Sequence, residues 1–132
     1  MEKSKLMENK KCFCDAGLLF ENCCGLYLQN NQKAPTALAL MRSRYSAYAT
    51  HNADYLLETT HISERKYYSK AEILKWAESN KWQQLEILSF TETTVEFKAY
   101  FLDSNKKQQI HYEFSTFKFE NNAWFYVDGK FE

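Results

Sequence analysis

Four cysteines, Cys12, Cys14, Cys23 and Cys24, lie within thirteen residues, and none follows in the rest of the 132-residue sequence. The spacing is C-x-C, eight residues, then C-C. Such concentration suits local chemistry better than staples spread across a core. As thiolates, the four can surround one tetrahedral ion at about 2.3 Å from each sulfur. Soft thiolates favour zinc over harder ions, and iron clusters usually use other spacings. Four sulfurs leave no open position for water, so the expected metal is one structural zinc. Gly17 and Gly25 supply freedom for the tight turns around it. Lys10 and Lys11 can offset part of the charge of about −2 carried by four thiolates on Zn²⁺.

Two disulfides or four free thiols are the alternatives. C-x-C and adjacent C-C are poorly placed to bridge internally, so disulfides would join Cys12 and Cys14 to Cys23 and Cys24. Compartment bears on the choice. The stretch Met1 to Lys11 has no apolar run and carries two acids, unlike a secretory signal. No later stretch approaches the length of a membrane span. A cytoplasmic chain with reduced thiols is expected, which favours metal.

The cysteine stretch resembles the SEC-C motif, a zinc knuckle usually written C-P-C-G-S-G, a short basic run, then C-C or C-H. All four ligand positions match. Phe13, Asp15 and Ala16 stand where the motif has Pro, Gly and Ser, and Leu18-Leu19-Phe20-Glu21-Asn22 replaces the basic run. Ribosome or nucleic-acid binding would use that missing basic surface. Lysine plus arginine equals aspartate plus glutamate, 17 against 17. Net charge near zero gives no general attraction to phosphates, so nucleic acid is not an expected partner.

The remaining elements follow from periodicity. Residues 1–11 read as a polar tail, and Leu26 to Lys33 as a connection. Thr36 is an N-cap for a helix from Ala37 to about Thr50, with Leu38, Met41, Tyr45 and Tyr48 in one apolar stripe. Arg42 and Arg44 flank that stripe. Either both stems pack while the heads reach water or a structural carboxylate, or one head points into a pocket and holds an anion. Ala53 to Thr60 reads as a second helix, followed by His61. Ser69-x-x-Glu72 is a capping box for a third, Lys70 to Ser79, with Ile73, Leu74, Trp76 and Ala77 on one face. Period two then takes over: Trp82 to Phe90, Thr94 to Leu102, Gln108 to Phe119 with a change of phase near Ser115 that suggests a bulge, and Trp124 to Val127 ending at Asp128-Gly129. Three helices followed by an antiparallel meander predict an α+β fold, helices packed on one face of a curved sheet.

The runs Leu40-Met-Arg-Ser-Arg-Tyr-Ser-Ala-Tyr48, Ala53-Asp-Tyr-Leu-Leu57, Thr60-His61, Glu113-x-Ser115-x-Phe117 and Trp124-x-Tyr-Val-Asp-Gly129 resemble the YchJ-like family. The resemblance covers nearly the whole chain from Cys12 to Gly129. It implies a SEC-C knuckle within residues 1–25 and, over residues 26–132, a domain of the nuclear-transport-factor-two-like (cystatin-like) fold. Many members carry a second knuckle after that domain, which has no counterpart after Gly129 here. Ile62 stands where a proline usually follows His61, and Thr60 where an aromatic often precedes it.

The implied fold often leaves a cone-shaped cavity between helix and sheet. Alternation places His111, Glu113, Ser115 and Phe117 on one strand face. With Arg42, Arg44, Tyr45, His61 and Trp124 close by, these form the candidate cavity set. Glu113 and a histidine could serve as acid and base, or Glu113 could pair with Arg42 or Arg44 as a structural cluster. No motif fixes a nucleophile, so no reaction is assigned. The leading expectation is an adaptor that meets a protein partner through Leu18-Leu19-Phe20 on the knuckle. The second is a small-molecule site or enzyme in the cavity, and the third a ribosome-associated factor.

Overall fold

The computed structural model describes residues 10–131, so most of the polar tail expected over residues 1–11 lies outside the described residues. After Cys24 comes a helix that the sequence reads as connection, α1 (Gly25–Leu28). The other three helices start at side-chain caps, two of them, Thr36 and Ser69, as expected. Thr36 accepts from the Ala39 N–H ahead of α2 (Ala37–Ala49), and Asn52 from the Tyr55 N–H ahead of α3 (Ala53–Glu58). Ser69 accepts from the Glu72 N–H ahead of α4 (Lys70–Ser79). Each cap satisfies one of the orphan donors at a helix start. Helix α3 stops short of the expected Thr60. The Thr59 and Thr60 hydroxyls turn back onto the Tyr55 and Leu56 carbonyls, at 2.7 and 2.8 Å.

Four antiparallel strands follow in sequence order: β1 (Lys81–Phe90), β2 (Thr94–Leu102), β3 (Gln108–Glu120) and β4 (Ala123–Phe131). Alternation on β2 buries Val95, Phe97, Ala99 and Phe101 against the helices. The predicted irregularity in β3 occurs between Thr116 and Phe117. Strand β4 does not end at Asp128-Gly129. Ser115 pairs with Gly129 and Glu113 with Phe131, so the ladder continues through this turn-like dipeptide. The Tyr126 N–H bonds the Thr59 carbonyl at 2.7 Å and the His61 N–H bonds the Tyr126 carbonyl at 2.8 Å, which ties the end of α3 beside β4.

Helix α2 departs from the single-stripe expectation. Met41 and Tyr45 are buried, but so are Leu40, Ser43, Ser46 and Ala47 on its other sides. The sheet covers one side, and α3 and the cysteine knuckle cover the rest. Small serines and alanine allow that close approach. The knuckle shares the domain's core: Cys12, Cys14, Phe20 and Cys24 form one buried cluster with Leu40, Phe97 and Tyr126. The whole is α+β, helices on one face of a four-stranded antiparallel sheet.

Candidate metal centre and cavity

The cysteines converge because the chain doubles back on itself. Lys11 pairs with Leu19 in an antiparallel bridge, and the Cys12 N–H bonds the Leu18 carbonyl at 2.8 Å. The tight turn between them uses positive φ at Asp15 (62°) and Gly17 (86°). Asp15 tolerates this conformation and adds a bond: its Oδ2 accepts the Leu85 N–H of β1 at 3.0 Å. A 3₁₀ turn over Phe20–Asn22 then presents Cys23 and Cys24 ahead of α1. Gly25 is needed there, because a Cβ would meet the Phe20 carbonyl at 2.6 Å.

All four sulfurs lie within 4.8 Å of one another, with Cys14 and Cys23 at 3.6 Å. A tetrahedral site with bonds of about 2.3 Å has sulfur–sulfur edges of roughly 3.8 Å, so the group fits such an ion. None of the sulfurs is joined in a disulfide. Three are buried and Cys23 is half-buried, leaving no wide face for solvent. Their acidities are tied together. Hydrogen bonds from the Cys14 and Cys24 thiols hold Cys12 far below the ordinary thiol range, and those same bonds push Cys14 and Cys24 up. Burial, then the charge of its neighbours, pushes Cys23 up to about 12. Packed this closely, the sulfurs cannot all ionise without a cation among them. A divalent ion would supply that charge and displace the protons.

Helix α2 separates this centre from a cavity. On the knuckle side, Arg42 Nη1 donates to the Cys14 carbonyl at 2.8 Å, and Ser46 Oγ lies 3.6 Å from Cys12 Sγ. On the other side, Met41, Arg44, Tyr45 and Tyr48 wall a cavity of about 240 Å³. Trp82, Phe97 and Tyr126 from the sheet close it, with Trp76 of α4 and Tyr68 at its side. Trp76, expected inside, is half-exposed here, edge-on to Trp82 and Phe101.

Glu113 is the buried acid of the cavity. Its Oε1 is 2.9 Å from His111 Nε2, and its Oε2 accepts from Ser115 at 2.6 Å and Tyr126 at 2.8 Å. Burial opposes its charge, but those donors outweigh burial and hold the carboxyl below the usual glutamate range. Burial, then the Glu113 charge, pushes the Tyr126 phenol up. Gly129 makes room for the carboxylate: a Cβ there would sit 2.1 Å from Glu113 Oε2.

Of the eight candidate cavity residues, Arg44, Tyr45, His111 and Glu113 line the cavity. The other four do not. Arg42 faces the knuckle. Ser115 is fully buried beneath Glu113. His61 is drawn to the opposite end of the sheet, where Nε2 meets Glu120 Oε1 at 2.6 Å and Nδ1 meets Ser63 Oγ at 2.8 Å. Trp124 lies near the start of α2 and donates to the Pro35 carbonyl at 3.2 Å. Neither arginine pairs with Glu113. Arg44 Nη1 donates to the Leu56 carbonyl at 2.9 Å and to Thr59 Oγ1 at 2.7 Å, and its guanidinium stacks 4.5 Å above the Tyr126 ring. Sequence reasoning missed Tyr48 and the two tryptophans as walls. Alternation had already placed Phe97 and Ala99 inward, which was the available signal. Leu18 is exposed, whereas Phe20 is 1% exposed and packs edge-on to Phe13.

Among the described residues no helix is long and apolar enough to cross a membrane. The chain is 41% identical over 126 residues to a UPF0225 protein of Photorhabdus laumondii, covering 89% of this chain and 79% of that one. Two solved structures are similar throughout. The solution structure of a SEC-C motif containing protein from Rhodopseudomonas palustris has a TM-score of 0.82 at 34% identity, covering 90% of this chain and 96% of that one. The crystal structure of a SEC-C motif containing protein from Psychrobacter arcticus gives 0.80 at 31%, with 93% and 83% covered. Residues 36–129 match the family described as YchJ, middle NTF2-like domain. With the cysteine cluster ahead of that match and the helix-then-meander order within it, the chain belongs to the YchJ-like family.

Proposed function

We propose that this protein binds a small molecule in the cavity of its NTF2-like domain, and that one zinc on Cys12, Cys14, Cys23 and Cys24 locks the fold around it. The observation that carries the reading is the space itself. About 240 Å³ stays open although tyrosines and tryptophans surround it, and buried polar groups converge on one wall. An apolar pocket with a few convergent polar groups is the usual form of a ligand site. Zinc suits four thiolates, and a closed four-sulfur site supplies structure, with no open position for chemistry.

The adaptor reading rests on a surface made by Leu18, Leu19 and Phe20. With Phe20 in the core, Leu18 alone of the three is exposed, so support moves to the cavity. Two measurements on freshly purified, reduced protein test the proposal. Elemental analysis with thiol counts before and after chelation should give one zinc per chain and four thiols released by chelation. A screen of small aromatic molecules by thermal shift and tryptophan fluorescence should yield saturable binders. Zinc-free protein with freely reactive thiols would overturn the first half, and a screen with no binder the second.

A further inference from the structure

Arg44 has an unusual position for a cation. It is 6% exposed, yet no carboxylate among the described residues lies within ion-pair distance of it. Its hydrogen bonds all leave from Nη1 and all reach neutral acceptors: the Leu56 carbonyl and the Thr59 and Thr60 hydroxyls, the last at 3.5 Å. Nε and Nη2 meet no acceptor among the described residues. No side-chain nitrogen there is both fully buried and unpartnered, so these donors reach open space. Arg44 itself lines the cavity. A buried cation without a counter-charge is costly, and a guanidinium presents paired N–H groups that match a carboxylate.

The other charged groups leave this role open. Both Glu113 oxygens are already engaged by His111, Ser115 and Tyr126, and no ion pair joins that carboxylate to Arg44. The remaining walls are flat and apolar: Trp82 and Tyr48 in tilted contact at 5.4 Å, with Tyr45 and Phe97 beside them. A volume of about 240 Å³ lies below the ~300–1,000 Å³ of drug-sized sites, which limits the occupant to about one ring with a short arm.

We infer that the ligand of this cavity is a small aromatic carboxylate, its acid group on Arg44 and its ring against Trp82 and Tyr48. The inference rests on the cavity reading above. The test titrates the zinc-loaded chain with benzoate, benzamide and benzylammonium, which share a ring and differ in charge. Binding is read from tryptophan fluorescence, since Trp76 and Trp82 wall the cavity. Benzoate should bind about tenfold more tightly than benzamide, and Arg44→Gln should abolish that preference. The wild-type comparison stands alone if the variant fails to fold. Equal binding of benzoate and benzamide, or tighter binding of benzylammonium, overturns the carboxylate assignment and leaves the cavity reading intact. Failure of all three to bind overturns both.

Discussion

The two faces of helix α2 solve the same electrostatic problem in opposite ways. On the knuckle face four sulfurs crowd together, and among the described residues no side-chain cation pairs with them. On the cavity face the protein supplies Glu113 with three donors of its own and leaves Arg44 without a counter-charge among the described residues. The first face is closed, packed into the core and shaped to hold something the size of an ion. The second keeps open volume beside its charge. Burial of a charged group therefore does not by itself mark a functional pocket. What distinguishes the faces is whether space remains next to the charge.

The sharpest way to break this comparison is to remove a ligand. Cys14 is fully buried, and Cys14→Ser should lower bound zinc from one per chain to none. Structural zinc is linked to folding, so a stability loss of at least ~3 kcal/mol is expected in urea unfolding. Unchanged stability would make the knuckle an appendage and not part of the core.

Next comes the acid on the other face. Glu113→Gln keeps the shape but opposes amide hydrogens to donors, at a cost of about 2–3 kcal/mol. The wild type should also show a pH signature. The folded carboxyl lies below its unfolded value, so its stabilisation is complete above about pH 4.5 and is lost as pH falls through the depressed folded value. The glutamine variant should lack that segment of the stability–pH curve.

A smaller effect is expected from Gly129→Ala. The new methyl must displace the Glu113 carboxylate from its donors, for about 1–2 kcal/mol. Tyrosine fluorescence should report the disturbed Tyr126 even if the melting temperature moves little.

Smallest is the pair at Asp15, where the knuckle grips the β1 edge. Asp15→Ala loses the bond to the Leu85 N–H and keeps the left-handed turn, costing about 1 kcal/mol. Asp15→Gly loses the same bond but fits the turn freely, so its loss should be smaller. Equal losses for both would show that the hydrogen bond alone matters there.

Much of this molecule was legible because its signals are local. Cys12 to Cys24 carry the whole thiol cluster within one short stretch. Thr36 and Ser69 cap helices by bonds three residues long. Alternation put Phe97, Glu113 and Ser115 on the inner sheet face. Such patterns depend on the repeat of one element and need no knowledge of its neighbours. The cavity list was half legible for the same reason. Trp124 has the right strand face but lies at the end of the sheet away from the cavity, and His61 lies there too, on Glu120.

The sequence by itself determined the clustering of the four cysteines, the order of the three longer helices and four strands, and the inward face of the middle strands. Local spacing and short-range hydrogen bonds decide these. The tertiary structure alone decided what each helix face meets. Arg42 and Arg44, two positions apart, point about 200° apart around the helix axis. Nothing in their own sequence says that one would hold the knuckle through the Cys14 carbonyl and the other would face an open cavity. That choice came from long-range packing, which placed the knuckle on one side of α2 and the aromatic sheet on the other.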